Sequence, residues 1–127
     1  MRHTLRVLAK GRRSGLVLVE GPRDALRLLS FRIPALSIVS TTQWSNSKAA
    51  TVASICRRFN VKPIAMMDAD KEGQKAQREV LRSLNQYSSE IGYPGYVDLS
   101  RYDDDMDPGN APRRLLLGIM RKLVRQD

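Results

Sequence analysis

Asp68-Ala69-Asp70-Lys71-Glu72-Gly73 follows the apolar run Val61-Lys62-Pro63-Ile64-Ala65-Met66-Met67 and opens a helical pattern. In an extended segment residues i and i+2 point the same way, so Asp68 and Asp70 place two like charges close together. Such a pair just past a buried strand is costly unless something offsets it, and a hard divalent cation would do so. Glu20 holds the equivalent position after an earlier apolar run, Leu16-Val17-Leu18-Val19. Three carboxylates at one sheet edge match oxygen-ligated Mg2+ or Mn2+. Ions of that kind orient phosphates and stabilise developing charge in phosphoryl transfer. Each acid also has a plainer reading, since a carboxylate ahead of a helix is favoured by the helix dipole. That reading explains one acid better than it explains a pair.

Other residues add to this constellation. Lys71 stands beside the acids and could hold a phosphate, and Gly73 suits a helix entry where another backbone group approaches closely. Asp103-Asp104-Asp105 and Asp107 form an acidic loop, in which Asp107, fixed by Pro108, is the expected fourth member of the metal region. Arg12, Arg13, Arg23 and Arg27 bracket the first strand and helix and are the expected phosphate or nucleic-acid contacts, with Lys48 after the second strand. Trp44 could stack on a base or cover the sheet edge. With one histidine and one cysteine, far apart in sequence, there is no Ser-His-Asp or Cys-His arrangement, and no P-loop spacing is present.

The elements that must position these residues alternate. Leu16–Val19, Ala35–Val39, Pro63–Met67 and Tyr96–Leu99 read as strands. Residues 22–30, 48–59, 73–87 and 112–124 read as helices, each with one apolar face. Pro22 fits a first helical turn, and Ser45 or Ser47 a cap. Strand and helix at crossover spacing predict a small α/β domain with a mostly parallel four-stranded central sheet flanked by helices. In such folds ligands bind beyond the carboxyl ends of the strands, where Glu20, Asp68 and Asp70 all fall. Residues 15–127 are read as one domain including a C-terminal helix, and residues 1–14 as a basic segment with an edge strand around Leu5, Val7 and Leu8.

The chain has 127 residues and a formal net charge of +9, unevenly spread. Residues 1–67 carry 12 Lys or Arg against two acids, and residues 68–127 carry 10 against 11. A basic front half beside an acidic cluster suits DNA or RNA held by its backbone. A single cysteine, Cys56, excludes an internal disulfide and a cysteine-based zinc site. No apolar run reaches membrane-spanning length, and the N-terminus lacks a secretory pattern. The expected location is cytoplasmic or nucleoid-associated, with no membrane partner.

On these motifs the chain resembles the Toprim family, shared by bacterial-type primases, topoisomerases of types IA and II, certain nucleases and a ribosomal RNA maturase. The resemblance lies in an apolar strand followed by Glu20-Gly21 and in Asp68-Ala69-Asp70 with the primase-like extension Lys71-Glu72-Gly73-Gln74-Lys75-Ala76. Asp24-Ala25 after the glutamate and Asp107-Pro108 after the fourth strand are similar to the primase form. It covers roughly residues 15 to 118. The resemblance implies a Rossmann-like fold, Glu20 in proton transfer or metal binding, and Asp68 and Asp70, with Asp107, as metal ligands. It implies divalent-metal-dependent nucleotidyl or phosphodiester transfer on nucleic acid, of primase type in DNA replication, and a helicase or a separate primase or zinc-binding subunit as a partner. The alternatives are a metal-dependent Toprim nuclease and a non-catalytic nucleic-acid or partner-binding accessory module. The chain departs from the family at Ser40-Thr41-Thr42, where a glycine is common.

Overall fold

A computed structural model describes residues 4–6, 15–38 and 44–125. Leu16–Val19 forms β1, Pro22–Ser30 α1, Ala35–Ser37 β2, Asn46–Phe59 α2 and Pro63–Ala65 β3. Lys71–Asn85 forms α3, Ser88–Ile91 the short α4 and Gly95–Tyr96 β4. A 3-10 turn at Leu99–Arg101 then leads to α5, Arg113–Arg125. The four strands lie in the order β2-β1-β3-β4, and all three pairings are parallel. Val17 sits opposite Ala35 on one side and Ile64 on the other, which makes β1 a central strand.

A central parallel strand is covered on both faces, and the four residues of β1 are fully buried. Alternation along the strand divides the core in two. Val17 and Val19 join Leu28 of α1 and Leu116 and Met120 of α5 on one face. Leu16 and Leu18 join Val52 and Cys56 of α2 and Val80 and Leu84 of α3 on the other. Each large aliphatic side chain so buried contributes about 1.5–3 kcal/mol. Between the layers Gln77 is a buried polar exception. Its amide accepts from Met67 N–H at 3.0 Å and donates to Val97 O at 3.3 Å, tying α3 to the ends of β3 and β4.

Several boundaries differ from the sequence expectation. Helix α3 begins at Lys71 rather than Gly73, because the Asp70 carboxylate caps it by accepting from Gly73 N–H at 2.7 Å. Strand β4 ends at Tyr96, because Asp98 turns the chain by capping the 3-10 turn at Ser100. The short α4 was not anticipated from its polar sequence. Residues 4–6 are helical where an edge strand was expected, and Thr4 Oγ1 donates to Ala35 O at 2.6 Å, so a side chain rather than a backbone ladder meets β2. The remainder of that expected strand lies outside the described residues.

Candidate functional site

The carboxyl edge of the sheet carries the acids. Glu20 leaves β1 and Asp68 follows β3 three residues past its last ladder position. Because β1 and β3 are hydrogen-bonded neighbours, residues 48 apart in sequence meet: Asp68 N–H donates to Glu20 Oε1 at 3.2 Å. Ser37 at the end of β2 donates to Glu20 O at 2.9 Å and holds the same turn from the other side. Gly73 allows α3 to start tight against this turn. A Cβ there would fall inside contact distance of Asp68 O, a backbone atom that cannot step aside.

Asp24, one turn into α1, and Asp107 complete the cluster. A Cβ at Gly109 would lie 2.6 Å from Asp24 Oδ1 and 3.0 Å from Asp107 Oδ1, so the two carboxylates flank one point. Asp24 stood out in sequence only as a family-like residue after the glutamate. Its position four residues past Glu20, in the first turn of a helix leaving the same edge, was the available signal.

The electrostatics follow from this crowding. Burial pushes the Asp68 carboxyl up to about 7, and Glu20, Asp24, Asp107 and Asp70 push it further in the same direction. Asp68 Oδ1 is buried without a hydrogen-bond partner. Burial also raises Glu20, an effect that the amide of Asp68 opposes and the charge of Asp70 reinforces. Asp24 is raised by burial and then by Asp107.

The expectation of Mg2+ or Mn2+ is corrected by the donor geometry. Among the described residues no group of three or more His, Cys, Asp or Glu side chains is placed to hold a metal ion. The acids are near enough to repel one another, yet four of the five turn an oxygen onto the backbone, while Asp68 Oδ1 has no hydrogen-bond partner. Glu20 accepts from Asp68 N–H, and Asp70 from Gly73 N–H. Asp107 accepts from Asn110 N–H at 2.8 Å, and Asp24 from the backbone at Gly21 and Gly109. The residues present do not fit the cation, and the like-charge cost is met by amides and by the raised proton affinity of Asp68.

The expected cationic contacts fall in different places. Arg23 and Lys71 are exposed, at the starts of α1 and α3 beside the acids. Arg27 points inward: Nη1 donates to Pro108 O at 2.8 Å and Ala111 O at 2.6 Å, and its guanidinium stands 5.1 Å from the Phe31 ring centroid. Lys48 Nζ donates to Ile38 O at 2.7 Å. Trp44 Nε1 donates to Ser83 Oγ at 2.6 Å while its ring packs on the α2–α3 side of the core. Arg12 and Arg13 lie outside the described residues.

Comparison with known proteins bears on the fold and the family. The backbone is similar to the crystal structure of the Aquifex aeolicus primase (zinc-binding and RNA polymerase domains), with a TM-score of 0.64 at 19% identity. The likeness covers 98% of this chain and 28% of that one. No curated protein sequence matches significantly. A Toprim-like family model matches residues 17–104, which run from β1 through both acidic strand ends to the acidic loop, and the chain therefore belongs to the Toprim-like family.

Proposed function

We propose that this chain is a nucleic-acid-binding Toprim module whose acidic edge is structural rather than catalytic. The observation that carries this reading is the commitment of the carboxylates to backbone amides while cations remain on the surface. Glu20, Asp70 and Asp107 each accept from a main-chain N–H, whereas Arg23, Arg58, Lys71, Arg78, Arg114 and Arg121 are exposed. With a net charge of +9, such a surface attracts a phosphate backbone by releasing its counterions. The similarity to a primase is in keeping with a DNA-replication setting, with a helicase or a separate primase subunit as partner.

A second reading, nucleotidyl or phosphodiester transfer with Glu20 and Asp68 as the reacting acids, draws on one specific observation. Asp68 combines an unpartnered buried oxygen with a carboxyl raised to about 7, and perturbed acids gather at functional sites. Fluorescence anisotropy with labelled single-stranded and duplex DNA and RNA, at several salt concentrations, tests the binding reading. The expected result is binding that weakens linearly with salt on a log–log plot. Absence of binding at low salt overturns it. A polymerised or cleaved nucleic-acid product that disappears in Asp68→Asn replaces the binding-only reading with the catalytic one.

A further inference from the structure

Two non-glycine residues among those described take a positive φ, Asn60 at 54° and Arg32 at 63°. Each stands just past a helix, where one residue in the left-handed conformation closes the last turn. Asn60 follows α2, and asparagine tolerates that conformation. Arg32 follows α1, at a position where glycine is the usual residue. Its backbone is held there: Arg32 N–H donates to Leu29 O at 2.9 Å and Ile33 N–H to Leu28 O at 3.0 Å, with Ile33 and Leu28 buried in the core. The Arg32 side chain is exposed, so packing does not explain the residue type. The dipole at the end of α1 favours a cation, but Arg27 in the last turn already supplies one. The same corner of the fold holds more cations. Arg113 stands 5.4 Å and Arg27 5.1 Å from the Phe31 ring centroid, and Phe31 directly precedes Arg32. Arg113 and Arg114 are exposed in the first turn of α5, which carries no acid, although the helix dipole disfavours cations there. The Phe31 contact accounts for the place of Arg113, but not for Arg32 or Arg114.

We infer that Arg32, Arg113 and Arg114 form a contact point for the phosphate backbone of duplex nucleic acid. Each of the three stands where the local backbone favours another residue type, and an anionic partner supplies the reason that the fold does not. Phe31 is partly buried and faces two guanidinium groups, so it is no open platform for a base. The contact is therefore to phosphates, which position a protein without reading sequence. A duplex presents them more densely along its axis than a single strand does. The inference rests on the nucleic-acid reading above and adds to it a location, on the α1–α5 side of the sheet, and a preference for the duplex.

The test compares wild type, Arg32→Gly, Arg32→Lys and Arg114→Ala by anisotropy at several salt concentrations. The probes are a fluorescein-labelled DNA duplex, its single strand and labelled polyglutamate. Arg82→Ala, exposed on α3 across the sheet, is the control. Glycine suits the left-handed position better than arginine, so Arg32→Gly should melt at or above the wild-type temperature. It should nevertheless bind the duplex roughly fivefold more weakly, with a salt slope lower by about 0.9, the share of one duplex phosphate. A purely structural role would not separate stability from binding in this way. Arg114→Ala should lower the slope by a similar amount, while Arg32→Lys and Arg82→Ala keep it. If wild type binds the duplex and both Arg32→Gly and Arg114→Ala bind it with unchanged affinity and slope, this inference fails while the nucleic-acid reading stands. If wild type binds neither strand form, both fail. Polyglutamate bound more tightly than the duplex, and weakened by Arg32→Gly, would overturn the inference in favour of an acidic protein surface.

Discussion

Asp68 N–H donates to Glu20 Oε1 across the β1–β3 junction, so the two acids that crowd each other are also hydrogen-bonded through one backbone amide. The bond stabilises the charged form of Glu20, while Asp68 Oδ1 has no donor and carries the unfavourable share. The Asp68 carboxyl stands at about 7 against an ordinary 3.8, through burial first and then its acidic neighbours. Between those values the folded chain keeps a proton that the unfolded chain has released. Raising the pH from about 4 to about 7 therefore destabilises the fold through this group, and Glu20 and Asp24, also raised, act in the same direction. Thermal melts across that window should show Asp68→Asn falling less steeply than wild type and melting higher at pH 8. Parallel profiles would show that the crowding does not reach the folding equilibrium.

Gly73 and Gly118 both lie inside helices, yet substitution should act on them in opposite directions. A Cβ at Gly73 would strike Asp68 O, and overpacking against a fixed backbone costs about 1–3 kcal/mol, more than the ~1 kcal/mol gained from helix propensity. A Cβ at Gly118 would meet nothing within 4 Å, so only the propensity gain remains. Urea denaturation should show Gly73→Ala less stable than wild type and Gly118→Ala more stable by up to ~1 kcal/mol. Equal effects at both sites would remove the close approach of α3 to the Asp68 turn.

Arg27 is expected to act as a clamp on the loop that carries Asp107. Its Nη1 donates to Pro108 O and Ala111 O, and both Arg27 and Arg113 face the Phe31 ring, at 5.1 and 5.4 Å. Hydrogen bonds from a charged donor contribute about 1.5–3 kcal/mol, and an exposed cation–π contact about 0.5–1 kcal/mol. Arg27→Ala should therefore cost about 2–4 kcal/mol and speed amide exchange at Asn110 and Ala111, whose N–H groups bond to Asp107 O. Arg23→Ala, at an exposed position on the same helix, should change stability by less than about 0.5 kcal/mol. Unchanged exchange in Arg27→Ala would show that the loop holds itself.

The contrast between Arg27 and Glu20 shows what the sequence could reveal. A continuous apolar run such as Leu16–Val19 has few destinations other than a strand buried on both faces, and an acid directly after it must lie at the carboxyl edge. The convergence of Glu20 with Asp68 was legible for that reason. The partners of Arg27 lie 81 and 84 residues away and are carbonyls, which any residue type supplies, so no local pattern separates a clamp from a phosphate contact. Asp70 was ambiguous for a related reason. A carboxylate two residues after another and three before a glycine satisfies both a ligand pair and a helix cap, and only the direction of its oxygen decides.

That decision makes Asp70 a sharp test. As the cap of α3 its Oδ1 accepts from Gly73 N–H at 2.7 Å, and it is exposed, so removing the side chain should cost about 1 kcal/mol, the usual loss of a cap. Asn and Ser cap about as well as Asp. They also remove a negative charge that raises both Glu20 and Asp68. Asp70→Ala should therefore lower stability, while Asp70→Asn and Asp70→Ser should leave it level with wild type or slightly above at pH 8. Urea melts of the three variants check the order. Equal losses in all three would mean that the charge of Asp70, not its oxygen on the Gly73 amide, is what the fold uses.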